Sequence, residues 1–151
     1  MSQLLKHFLS HRIVTNELVK KIEESNYSYK PTETSMSTEK LVTHMYTSFY
    51  KFIKTVKVGN GSPFMEKLEH PEFNLSQLGE HYTELSKELL ESLTEDELNR
   101  DIDMTKIFGI NVTGHQMVQT AIEHEIHHKG NLFVYVRELG HTELPLYMRV
   151  K

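Results

Sequence analysis

Apolar residues recur at three- and four-residue spacing in four separated stretches of the chain, the period at which side chains share one face of an α-helix. Residues 3–24 carry Leu5, Phe8 or Leu9, Ile13, Leu18 and Ile22 between charged neighbours. Residues 37–58 carry Leu41, Met45, Phe49, Phe52 and Val56. From Asn74 to about Leu93 the stripe is Leu75, Leu78, Tyr82, Leu85 and Leu89. Residues 112–139 carry Met117, Ala121, Leu132, Tyr135 and Leu139. Four amphipathic helices are therefore predicted.

Their ends are marked by residues that satisfy free backbone groups. Ser37 is a suitable N-cap, with Glu39 in the first turn and Met36 spaced to pack on Leu41. Asn74 with Gln77 and Thr113 with Gln116 have capping-box spacing, and Phe73–Leu78 and Val112–Met117 have staple spacing. Gly140 ends the last helix, and Pro145 keeps the tail from extending it. Pro31 sits in a Ser/Thr/Asn-rich loop. The segment from Val58 to Phe73 holds two Gly and two Pro, and is longer than an antiparallel turn needs, so it permits a crossover. Thr94 to Glu97 repeats the capping spacing and predicts a short helical turn; residues 101–112 read as irregular, with a turn at Gly109. With no convincing strand, repeat or domain boundary, the expectation is a single all-α domain over residues 1–151, a four-helix bundle.

Composition narrows the chemistry. The chain has 151 residues and no Cys, which excludes disulfides, thiolate metal sites and cysteine nucleophiles and fits a reducing compartment. The N-terminal segment, with Lys6, His7, His11 and Arg12, has no secretory pattern, and no 18-residue apolar run exists, so a soluble cytoplasmic protein is expected. The net charge is −4 with Lys and Arg spread thinly, which argues against nucleic-acid binding. Ten histidines are many for this length; His7, His11, His70, His81 and His141 are expected on the surface.

Two histidines stand apart. The three-four spacing of the last helix, carried through its gap between Ala121 and Leu132, lands on His124 and His128. Four apart, they lie one above the other where a bundle helix places Leu or Ile. Burying two imidazoles is unfavourable unless their nitrogens are satisfied, and a divalent metal is the simplest satisfier. A third ligand must come from a facing helix. His44, on the flank of the second helix's stripe, is the best candidate; the alternative is a hydrogen-bonded core histidine. His127, 100° round from His128, is a candidate to orient a ligand or to sit at the rim. Glu125 reads as an ordinary surface acid, and Gly130 as a point of close helix approach. His124-Glu125-Ile126-His127-His128 matches HExxH, the zinc-protease motif, but the chain offers no edge strand and no later acidic ligand.

The stretch HEIHHKGNLFVYVRELG resembles the HxxxHRGQ signature on the fourth helix of the DinB/YfiT-like metalloenzyme family, and KPTETSMSTEKLVTHMYTS resembles its second-helix segment bearing a single His. Lys129 and Asn131 stand where the family often has Arg and Gln. The resemblance implies an up-down-down-up bundle with the long crossover between helices 2 and 3. It puts a metal triad on His44, His124 and His128, holding nickel, zinc or iron. It further implies an enzyme that transfers a low-molecular-weight thiol to an electrophilic substrate, or hydrolyses through metal-bound water, and a homodimer. The alternative expectation is a non-enzymatic, stress-linked metal-binding or dimerising module.

Overall fold

The computed structural model describes residues 1–150. Four long helices form its body: α1 (Gln3–Val19), α2 (Thr38–Val58), α3 (Leu75–Ser92) and, numbered in chain order, α6 (Gly114–Glu138). Between the last two lie α4 (Glu95–Asn99), strand β1 (Asp101–Met104), α5 (Thr105–Phe108) and strand β2 (Ile110–Thr113).

The expected caps are formed. Ser37 accepts the Lys40 amide, and Asn74, Thr94 and Thr113 each close a capping box with the residue three further on. The α2 stripe, Leu41, Met45, Phe49, Phe52 and Val56, is buried throughout. The helix stops at Gly59, whose φ of 83° lets its amide return to the Thr55 carbonyl.

Two apolar clusters set the helix directions. One holds Val14 and Leu18 from the end of α1, Leu41 and Met45 from the start of α2, Leu75 and Leu78 from the start of α3, and Leu132 and Val136 from the end of α6. The other joins the start of α1 (Leu5, Phe8), the end of α2 (Phe52, Val56), the end of α3 (Leu90) and the start of α6 (Met117, Ala121). Helices α1 and α6 therefore run one way and α2 and α3 the other, which is up-down-down-up. Because α2 and α3 are parallel, residues 59–74 must travel the length of the bundle, and they do so with one 3₁₀ turn at Ser62–Met65. Helix α2 packs against α3 and α6, and α1 packs against the same two helices.

Four local expectations are corrected. Helix α1 ends at Val19, not residue 24; Lys21 and Ile22 bond back three residues, and this tightened turn still buries Ile22. Within α1, Ile13 is 40% exposed, and Val14 takes the core position. Residues 101–113 are a hairpin, with Asp101 opposite Thr113 and Met104 opposite Ile110. Buried Ile102 and Met104 alternate with exposed Asp101 and Asp103, the period-two pattern of a strand with one face on the core. Gly109, at φ 76°, turns the chain. Gly114 lets α6 start hard against α4, since a Cβ there would stand 2.4 Å from the Glu97 carbonyl oxygen. Gly130, by contrast, faces open space, so the close approach expected of it does not occur. Among the described residues, no helix is long and apolar enough to cross a membrane.

Candidate metal centre

Helices α2 and α6 pack side by side, and their contact face carries the three imidazoles singled out from the sequence. The Nε2 atoms of His44 and His128 each lie 3.1 Å from Nε2 of His124. One nitrogen from each ring falls within 4.8 Å of the other two. Helical spacing stacks His124 under His128, and the crossing of α2 brings His44 edge-on to both, at ring separations of 4.8 and 4.9 Å. All three rings are half-buried.

Burial strips water from the rings and favours their neutral form. His124 is driven down to about 4 by burial, with its two histidine neighbours adding to the effect. His44 is lowered by burial and by Lys51, and His128 by burial and by His44 and His127. Neutral rings whose Nε2 atoms converge are the arrangement a divalent ion needs. Tetrahedral coordination at about 2.0–2.1 Å would space ligand nitrogens about 3.3–3.4 Å apart, close to the 3.1 Å seen here. Two outer nitrogens bear on the same point: His44 Nδ1 lies 3.2 Å from Ser48 Oγ, and His128 Nδ1 is buried without a hydrogen-bond partner. The Phe52 ring closes one side, 5.6 Å from that of His124, and is backed by Phe64 and Phe108. His127 is exposed; its ring packs against that of His128 at 4.8 Å.

Glu125, expected as a surface acid, is instead 1% exposed at the centre of the bundle. Arg12 grips it with two bonds of 2.9 Å, and Thr15 donates a third at 2.7 Å. Burial alone would raise the Glu125 carboxyl; the Arg12 charge and these hydrogen bonds outweigh it and hold the group below the usual carboxylate range. Arg12 also lies over Phe8, Tyr46 and Phe49 and reaches Thr83, while Asn16 bonds both Thr83 and the Tyr46 hydroxyl. The network spans all four long helices and fixes the rotation of α6, so that the residue before Glu125, His124, meets α2.

Lys129 and His11 are buried as well, against the expectation that His11 lies on the surface. Lys129 Nζ sits 2.6 Å from His11 Nδ1 and donates to the Tyr147 carbonyl, pinning the C-terminal segment. Burial lowers Lys129 to about 8. His70 is also engaged, with Nε2 2.6 Å from the Tyr82 hydroxyl. A signal for Glu125 and Lys129 existed in the sequence: Val118, Ile122, Glu125, Lys129, Leu132 and Val136 form a second three-four line along α6. Its two charged members obscure it, and Glu125 accordingly reads as a surface acid.

Comparison with known proteins agrees with this architecture. The sequence model of the DinB family matches residues 1–151. The chain belongs to the DinB family. It is similar to the uncharacterized protein YjoA of Bacillus subtilis (strain 168), with 58% identity over 148 residues, covering 98% of this chain and 96% of YjoA. The crystal structure of that DinB-like protein superposes with a TM-score of 0.91 at 57% identity, over 98% of this chain and 99% of the other. A DinB-like protein from Bacillus cereus ATCC 10987 shares the fold at 17% identity, with a TM-score of 0.71 over 94% and 93% of the two chains. In this DinB-family bundle the histidine triad is a group that could hold a metal.

Proposed function

We propose that His44, His124 and His128 bind one divalent metal ion and that the centre serves an enzyme which moves a low-molecular-weight thiol onto an electrophilic substrate, or hydrolyses one. The observation that carries this reading is the convergence of three neutral imidazole Nε2 atoms from two helices at ligand spacing, with no carboxylate among them. Three nitrogen donors leave one or more positions for a small molecule, and they suit zinc, nickel or iron. An ion held there would act as a Lewis acid, lowering the pKa of a thiol or water that entered the site.

The chain's own residues supply the setting. Having no Cys, the protein offers no thiolate of its own, so the thiol comes as a co-substrate. Helix α6 presents two rings in fixed register, α2 presents the third, and Phe52 shields His124 from solvent on one side. The Arg12–Glu125 pair holds α6 in the required rotation. The assembly inferred with this reading is a homodimer, which light scattering tests.

The deciding experiment is metal analysis of protein purified without a histidine tag, followed by assay with several thiols and a generic electrophile. Stoichiometric metal, with thiol-dependent turnover that His128→Ala abolishes, is the expected result. Metal without turnover across the thiols would instead favour a non-enzymatic metal-binding module. Absence of metal removes both.

A further inference from the structure

Within the metal-binding reading just proposed, the outer edges of the ligand rings carry a second assignment. A histidine that binds an ion through Nε2 must keep its proton on Nδ1, and that N–H needs an acceptor when water is excluded. Two of the three rings meet this demand differently. His44 has Ser48 one turn further along α2, with Oγ 3.2 Å from Nδ1. His128 has a buried Nδ1 with no bond formed, an arrangement whose cost is about 1–3 kcal/mol in an otherwise satisfied interior. Asn131 lies three residues on along the same face of α6, within one turn of the His128 ring. Buried ring nitrogens that lack partners are uncommon, and this one sits on a residue whose opposite nitrogen points at the other two imidazoles.

We propose that Ser48 and Asn131 are positioning residues of the metal centre, each accepting the Nδ1–H of the ligand on its own helix and so committing the Nε2 lone pairs of His44 and His128 to the ion. Ser48 is already in place. Asn131 is the residue one turn along that would answer the unpartnered Nδ1 of His128 once a metal locks its tautomer. Neither residue touches the ion or a substrate. Their effect is on ligand orientation and basicity, and it is read first in metal affinity.

The test uses full-length protein, freed of metal and titrated with zinc against a competing chelator. Cobalt(II) visible spectra report coordination, and long-range ¹⁵N correlation of the imidazoles reports tautomers. Ser48→Ala and Asn131→Leu are each expected to weaken zinc binding by about 10–100-fold, with the unfolding midpoint of the metal-free protein unchanged. Ser48→Thr and Asn131→Gln, which keep an acceptor oxygen, restore most of the affinity. In the zinc-loaded wild type, the His44 and His128 rings show the Nδ1–H form. Wild-type protein that binds zinc, with both variants binding equally well and tautomers unaltered, overturns this assignment and leaves the metal centre standing. Loss in one variant alone overturns the assignment of the other residue. A wild type that binds neither zinc nor cobalt overturns the metal centre itself.

Discussion

The Arg12–Glu125 pair gives a sharp test of how the bundle is held together. Both side chains are essentially sealed, at 0% and 1% exposure, and the carboxylate accepts three hydrogen bonds of 2.7–2.9 Å. Glu125→Ala leaves a guanidinium in the core with only a 3.4 Å contact to Thr83 Oγ1 and the faces of Phe8, Tyr46 and Phe49. Charge-assisted hydrogen bonds contribute about 1.5–3 kcal/mol each, and the aromatic faces recover about 1–2 kcal/mol. The net loss expected for breaking a buried pair is about 3–5 kcal/mol. At about 2.1 cal/mol/K of unfolding entropy per residue, that lowers the thermal midpoint by about 9–16 °C. Arg12→Met alone should cost a similar amount, because it strands the carboxylate.

The double variant Arg12→Met with Glu125→Leu discriminates between mechanisms. If the penalty is that of an orphaned charge, the double variant recovers most of either single loss. Urea unfolding at pH 7, with the cycle evaluated from the extrapolated free energies, measures it. A Glu125→Ala loss below about 1 kcal/mol, or a double variant that loses the sum of the singles, would refute the view that a sealed charge pair fixes α6.

His128→Leu should abolish metal binding while leaving the metal-free protein as stable or more so, because it removes the buried, unpartnered Nδ1; thermal melts with and without chelator show both effects. Gly114→Ala places a Cβ 2.4 Å from the Glu97 carbonyl oxygen and 2.7 Å from Leu98 Cα, both backbone, and should cost about 1–3 kcal/mol in chemical denaturation. His11 is lowered from 6.5 to about 4, chiefly by burial and then by Lys129, so between those values the unfolded chain binds a proton that the fold refuses. The contribution of His11 to stability is thus fully present above about 6.5 and is lost as pH drops towards 4. His11→Gln should make that fall shallower, leaving the part due to His44, His124 and His128, which are lowered as well. An unchanged slope would show that His11 is free to protonate in the fold.

How much of this was legible in the chain follows the range of the forces involved. Helix spans and caps are written locally: a stripe at three-four spacing needs a partner face whatever that partner is, and Ser37, Asn74 and Thr113 satisfy amides three residues away. The convergence of three histidines was legible for a related reason, since His124 and His128 interrupt an apolar seam and His44 flanks another. The hairpin at 101–113 was missed because four-residue strands offer too few alternations to tell from irregular chain. What the sequence determined by itself is which residues share a helix face. What only tertiary structure decided is which charged residues the packing would enclose. Arg12, Glu125, Lys129 and His11 are polar by type and belong in water until a partner from more than a hundred residues away meets them. Their burial is stabilised by a pairing between helices, and no local pattern encodes a pairing.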